Sequence, residues 1–100
     1  MKRRVVEYSF RSKQDAAWIY RTVASASSPT LALEYVKRIR EFCDRLEYAS
    51  ERGRRRDDIR PGLRIVGFER RVTVAFVVEA ERVVILRIFY GGRDWEGDLI

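Results

Sequence analysis

The sequence predicts an α+β domain in the order β-α-α-β-β-β, with a helical hairpin packed on one face of a small, mostly antiparallel sheet. Three observations support this fold class. An alternating apolar run opens the chain, two segments then carry apolar residues at helical spacing, and three further apolar runs follow with only short charged turns between them. A chain of 100 residues is close to the commonest domain size, so residues 1–100 are expected to form a single domain.

The first two elements are a strand and a helix. Within residues 5–10 every second residue, Val6, Tyr8 and Phe10, is apolar, so these side chains share one side as in a half-buried strand. Ser12 can then cap a helix, with Asp15 three residues later. The helical stripe that follows consists of Ala16, Ile19, Tyr20 and Val23. The serine-rich stretch 24–28 is expected to end this helix and form a loop.

The second helix has the clearest signature. Ser28 can cap it, and Pro29 is suited to the first helical position. Apolar residues then recur at spacings of three and four, which predicts a core-facing stripe. Its members are Ala32, Tyr35, Val36, Ile39, Phe42, Cys43 and Leu46. Cys43 is the only cysteine, so an internal disulfide is excluded and its thiol is expected to be inert.

The C-terminal third predicts an antiparallel meander. A charged connection at 50–60 leads into three apolar runs, Leu63–Phe68, Val72–Val78 and Val83–Tyr90. Both sides of the last two runs are apolar, although two helices cover only one face of a sheet. The uncovered face is therefore expected to bind another protein. Its residues are Ala75, Val77, Val83, Ile85, Arg87 and Phe89. The alternative is that the connection or residues 95–100 fold over this face.

The composition excludes several kinds of active site. The chain has no histidine, which rules out histidine-based acid/base catalysis, histidine-activated nucleophiles and histidine-ligated zinc. No metal or other cofactor is expected. No apolar run approaches the roughly 20 residues of a membrane span, and charges interrupt the N-terminal segment that a signal peptide would need. A cytoplasmic location is therefore expected.

The basic residues are nearly all arginines. The net charge of +6 favours nucleic acid or an acidic protein as partner, and arginine suits both phosphate and carboxylate. Arg64, Arg87 and Arg93 lie within or just after the apolar strands, so they are expected to converge near one end of the sheet. The run Arg54–Arg56 is expected to be solvated and to pair with nearby carboxylates such as Asp58.

Two short motifs, set in this order of elements, resemble those of a known protein family. Pro61-Gly62-Leu63-Arg64 and Gly91-Gly92-Arg93-Asp94 make the chain similar to the ParE/RelE toxins of type II toxin-antitoxin systems, and specifically to the ParE branch. The resemblance implies a toxin that inhibits DNA gyrase and forms a hetero-oligomer with a ParD-like antitoxin lying on the open sheet face. Operator DNA would be reached only through the antitoxin. The implied target-binding residues are Arg64, Arg87, Arg93, Asp94 and Trp95.

The RelE branch implies a different activity, ribosome-dependent cleavage of mRNA by a basic cluster and a tyrosine after the last strand. Arg64 and Arg93 stand at two of the basic positions. Val66 and Thr73 replace the others, and the chain reaches Leu99 without that tyrosine. No catalytic residue is therefore predicted, and a non-enzymatic toxin is favoured. A RelE-like nuclease and a non-toxic basic nucleic-acid-binding module remain as alternatives.

Overall fold

The computed structural model describes residues 2–92 and 95–99, which form a five-stranded sheet with helices on both faces. In chain order the elements are β1 (Val5–Tyr8), α1 (Phe10–Ala26), α2 (Pro29–Asp44), a 3-10 turn (Arg45–Glu47), β2 (Arg54–Arg55), β3 (Leu63–Phe68), β4 (Val72–Val78), β5 (Arg82–Tyr90) and α3 (Trp95–Leu99).

The sheet has the strand order β1-β5-β4-β3-β2. β1 runs parallel to its neighbour β5, and the other three pairings are antiparallel. The predicted fold class is confirmed, with the helical hairpin packed on a mostly antiparallel sheet. The sequence did not predict the two-residue strand β2 or the helix α3.

The start of α1 differs from the prediction, and its end does so in part. Its N-cap is Ser9, whose hydroxyl oxygen accepts the backbone N–H of Ser12 at 3.0 Å. Ser12 is buried inside the first turn and donates its hydroxyl to the Ser9 carbonyl. The helix continues to Ala26, so it ends inside the stretch 24–28 as predicted, but the loop is confined to Ser27 and Ser28. Alanine is the best helix former and serine costs less than about 0.7 kcal/mol, so nothing local ends the helix earlier.

The predicted α2 is confirmed in its cap and in its buried stripe. The Ser28 hydroxyl oxygen accepts the backbone N–H of Leu31 at 3.1 Å, and Pro29 opens the helix. Cys43 is buried on the stripe, and burial raises the pKa of its thiol to about 12. A thiol with so high a pKa stays protonated at neutral pH, which supports the expectation that it is inert.

Apolar side chains form two clusters, one on each face of the sheet. The main cluster lies under α1 and α2 and comprises Ile19, Ile39, Phe42, Cys43, Leu46, Val72, Val74, Phe76, Val83, Ile85 and Ile88. The second cluster lies on the opposite face and comprises Leu63, Ile65, Ala75, Val77 and Phe89. Because β4 contributes alternate side chains to each cluster, both of its faces are buried.

A β-bulge in β5 changes which side chains share a face. Ala75 on β4 is paired with Arg87, whereas its neighbour Phe76 is paired with Ile85, so Leu86 is the extra residue. An extra residue shifts the alternation of side chains by one. Val83 and Ile85 therefore point into the main cluster, and not to the face of Phe89 as the sequence predicted.

None of the helices in the described part of the chain combines the length and the apolar character that crossing a membrane requires.

Candidate functional site

The sheet face predicted to be open is covered by the protein's own chain. Ile59 from the connection before β3, and Trp95 and Leu99 from α3, pack against the second cluster. Ala75, Val77 and Phe89 are consequently buried. The alternative in which these segments fold over the face is the correct one, and Trp95 caps this cluster.

Ion pairs and a cation–π contact of Arg56 hold this covering segment in place. The Arg56 guanidinium pairs with Asp58 at 2.9 Å, as predicted, and with Glu96 of α3 at 3.0 Å. It also lies 5.4 Å from the centre of the Trp95 ring, within cation–π range. Arg56 thus ties the connection to α3, and the pKa of its guanidinium is raised, chiefly by hydrogen bonds to the two carboxylates.

The six residues predicted to bind the antitoxin do not form an exposed patch. Val83 and Ile85 belong to the main cluster, and the other members lie on or beside the second cluster, where all of them are buried. The prediction of a shared open face is therefore wrong. Its error came from the bulge in β5 and from the unpredicted α3.

Arg87 has a structural partner that the sequence did not reveal. Its guanidinium forms two hydrogen bonds to the Asp15 carboxylate of α1, with N–O distances of 2.8 and 3.0 Å. The side chains of Arg87 and Asp15 are only 9% and 12% exposed. The hydrogen bond to Asp15 is the main cause of the raised pKa of Arg87, and Asp98 adds to it.

Asp15 and Ser9 together complete the edge of β5 where β1 ends. Ser9 donates its backbone N–H to the Ile85 carbonyl and its hydroxyl to the Leu86 carbonyl. The Asp15 carboxylate accepts the Ile88 N–H at 2.8 Å. The start of α1 therefore replaces the missing strand partner, and Arg87 neutralises the carboxylate that does so.

The predicted convergence of arginines does not occur among the described ones. Arg64 is half-buried on β3 and donates to the Arg52 carbonyl at 3.4 Å, beside a hollow of about 190 Å³. Arg87 lies two strands away and faces Asp15. The sites predicted at Arg93 and Asp94 fall outside the described residues.

A groove between the two long helices was missed by the sequence reasoning. It encloses about 500 Å³, and its lining is mostly apolar. The lining residues are Tyr8, Ser12, Lys13, Ala16, Leu33, Val36, Lys37, Ile39, Arg40, Glu41 and Ile88. Leu33 is 63% exposed at this groove. The signal in the sequence was Leu33 itself, an apolar residue off the core stripe of α2.

Comparison with known protein families shows which family the chain belongs to. Residues 6–95 match the family described as ParE toxin of type II toxin-antitoxin system, parDE. The chain belongs to the ParE toxin family. The match includes Arg64, the groove between the helices and the whole sheet except Val5.

A solved structure supports the ParE assignment. A chain in the structure of the chromosomal ParDE toxin-antitoxin system from P. aeruginosa superposes with a TM-score of 0.76 and is 26% identical in sequence. The superposition covers 88% of this chain and 96% of that one. No curated protein matches the sequence.

Val66 and Thr73, which the sequence analysis compared with basic positions of the RelE branch, are both half-buried on the sheet. Val66 packs against the main cluster under the helices. Thr73 is half-buried on β4, paired with Gly67 on one side and Phe89 on the other. An arginine or lysine at either position would bring a charge to the edge of an apolar cluster.

Proposed function

We propose that this chain is the toxin of a type II toxin-antitoxin pair, that it acts on DNA gyrase by binding, and that a ParD-like antitoxin silences it by direct contact. The observation that carries the proposal is the ParE family match across residues 6–95. Val66 and Thr73, which stand where the RelE resemblance would place basic residues, support a mechanism based on binding.

The groove between α1 and α2 is the surface that we propose for the antitoxin. Apolar grooves of this kind accept one face of an amphipathic helix, with apolar anchors three and four residues apart. Leu33 and Val36 supply apolar contacts along the groove. The groove takes over the role that the sequence analysis gave to the second face of the sheet.

Charge on the groove favours an acidic partner segment. Lys13, Lys37 and Arg40 line it, and Glu41 is the single acidic side chain among its lining residues. Complementary charge raises the rate of association and sets the orientation of the partner. We therefore expect the antitoxin segment to carry glutamate or aspartate beside its apolar anchors.

Leucine substitutions on α2 test this docking surface. Leu33→Glu places a carboxylate in the groove and should weaken antitoxin binding at least tenfold, measured by calorimetry with the purified antitoxin. Leu31→Glu is the matched control, because Leu31 is an exposed leucine of the same helix outside the groove lining. Equal affinities for the two variants would exclude the groove.

For the target, we propose contacts from Arg64, Arg93, Asp94 and Trp95. Among the described residues the Arg64 guanidinium makes one long hydrogen bond, to the Arg52 carbonyl, and it adjoins an open hollow, which supports a role in binding. Arg87 is bound to Asp15, so we assign it to positioning the end of β5 that leads to these residues.

Inducible expression in bacteria tests the activity itself. Broken DNA and filamentous cells with intact mRNA are expected, together with inhibition of supercoiling by purified gyrase. Arg64→Ala should weaken that inhibition, whereas Arg60→Ala, an exposed arginine on the preceding turn, should not. Cleaved mRNA would instead favour the nuclease, and unimpaired growth would favour a plain binding module.

A further inference from the structure

A second surface, on the opposite side of α1 from the groove, combines aromatic rings with arginines. Arg11, Gln14, Trp18 and Arg21 follow one another at spacings of three and four, so they lie on one face of the helix. With Tyr90 of β5 they line a hollow of about 380 Å³. We call these five residues the aromatic–arginine surface.

The two rings on this surface are held in place. The Trp18 and Tyr90 rings meet edge to face, with centroids 6.4 Å apart, and Tyr90 meets the Tyr35 ring in the same way at 5.9 Å. Trp18 nevertheless remains 45% exposed. A large ring that is fixed on one edge and open to water on the other side is preorganised to stack against a planar ligand.

The arginines of this surface are available to an anion. Arg11 and Arg21 are exposed, and neither takes part in an ion pair within residues 2–92 and 95–99. The acidic residue lining the hollow is Asp15, whose carboxylate is bound on both oxygens by Arg87. The nearest carboxylate is therefore already neutralised and does not oppose a phosphate.

We propose that the aromatic–arginine surface binds single-stranded nucleic acid, with bases stacked on Trp18 and phosphates paired with Arg11 and Arg21. These arginines are ten residues apart, or about 15 Å along the helix, which is long enough to follow several nucleotides. Exposed aromatic rings beside basic side chains are how proteins hold single strands without reading sequence.

The exposed ring argues for a single strand over other anionic partners. In a duplex the base faces are already stacked on each other, so Trp18 would find no free face. An acidic protein would satisfy the arginines but would not need a flat ring between them. This binding does not rest on the proposed action on gyrase, since it requires no protein partner.

Fluorescence anisotropy with a labelled oligothymidine of twelve nucleotides tests the proposal on the full chain. Arg11→Gln with Arg21→Gln should weaken binding at least tenfold. It should also reduce the slope of log affinity against log salt by about 1.4, since each phosphate contact on a single strand contributes about 0.7. The control is Arg60→Gln with Arg70→Gln, which removes the same charge from two exposed arginines that also lack ion pairs in the described chain.

The contribution of the ring is tested separately. Trp18→Leu, which keeps apolar packing against Tyr90 but removes the ring, should weaken binding roughly 5- to 150-fold. Trp18→Phe should lose less affinity. Circular dichroism of each variant checks that the fold is intact.

Three results would overturn the proposal. The first is an equal loss of affinity in the Arg60 and Arg70 control, which would make the binding a general effect of charge. The second is tighter binding to a duplex of the same sequence than to the single strand. The third is polyglutamate binding with the same dependence on Trp18, which would identify an acidic protein as the partner.

Discussion

Asp15 links the start of α1 to the far end of β5. Its carboxylate accepts two hydrogen bonds from the Arg87 guanidinium and one from the Ile88 backbone. Sequence reasoning placed Asp15 in a capping motif with Ser12, but that role is absent because the cap is Ser9. The residue instead satisfies a strand edge that has no further strand beside it.

We expect Asp15→Asn to lower the free energy of unfolding by about 3 kcal/mol, because it leaves a buried guanidinium without its counter-charge. Urea denaturation measures the change. A double-mutant cycle with Arg87→Met should give a coupling energy above about 1 kcal/mol. Simple additivity of the two single substitutions would contradict the direct pairing.

The Tyr35 hydroxyl is buried and has no hydrogen-bond partner among the described residues. Burial raises the pKa of this phenol. Tyr8 differs, because its hydroxyl donates to the Asp44 carboxylate at 2.5 Å. The two tyrosines therefore offer a matched comparison of an unsatisfied hydroxyl with a satisfied one.

We expect Tyr35→Phe to leave stability unchanged or to raise it by up to about 1 kcal/mol, since a buried unsatisfied hydroxyl is removed. Tyr8→Phe should lower stability by about 1 kcal/mol, because it breaks a hydrogen bond to a charged group. Thermal unfolding of both variants gives the comparison. Equal destabilisation would contradict this description of Tyr35.

At the scale of elements, the cover over the second cluster depends on the turn before β3. The Asp57 carboxylate accepts the N–H of Gly62 at 2.9 Å, and Gly62 has a φ of +81°, which favours glycine. Ile59 lies between these two residues and packs against the cluster. Nearby, a side chain at Gly53 would put its Cβ 2.3 Å from the Ile65 carbonyl oxygen, so only glycine fits there.

Because of this turn, the free energy of unfolding should depend on pH in the acidic range. The pKa of Asp57 is lowered, chiefly by the Gly62 N–H and also by Arg55. The ionised carboxylate thus contributes stability above the ordinary pKa of 3.8, and that contribution is lost as the pH falls through the lower pKa of the folded state.

We expect Asp57→Asn to reduce the loss of stability as the pH falls below about 4, because the asparagine amide oxygen still accepts the Gly62 N–H but does not titrate. Urea denaturation at a series of pH values measures the slope. Glu41→Gln is the control, since Glu41 is an exposed carboxylate with no ion pair among the described residues. If Asp57→Asn and the wild-type chain lost the same stability at low pH, the prediction would be contradicted.

At the scale of the whole molecule, the two clusters share their strands. β4 sends Val74 and Phe76 into the main cluster and Ala75 and Val77 into the second. Neither cluster can lose its packing without disturbing the strand that supports the other. We therefore expect the two apolar layers to unfold as one cooperative unit.

Single-tryptophan variants test this cooperativity. Trp95→Phe leaves Trp18 as a reporter on α1, and Trp18→Phe leaves Trp95 as a reporter on the covered face. We expect both fluorescence transitions in urea to coincide with the loss of circular dichroism. An earlier transition of Trp95 alone would show that α3 and the second cluster unfold independently.

The sequence alone determined the order and the interior of the longer elements, from β1 through α1 and α2 to β3, β4 and β5, but not β2 or α3. Ser28 and Pro29 predicted the start of α2, and the runs Leu63–Phe68 and Val72–Val78 predicted β3 and β4 with their observed bounds. These features depend on neighbours within a few positions, which caps and periodicity record directly.

Only the tertiary structure decided which side chains lie on each face of the sheet and what covers them. The bulge at Leu86 reversed the sides of Val83 and Ile85, α3 closed the face that was predicted to be open, and Arg87 found Asp15 at a separation of 72 residues. One inserted residue turns a whole strand segment over, and a contact between distant residues leaves no periodic trace in the sequence. The pattern predicted which side chains are apolar, and packing decided which of them remain available to a partner.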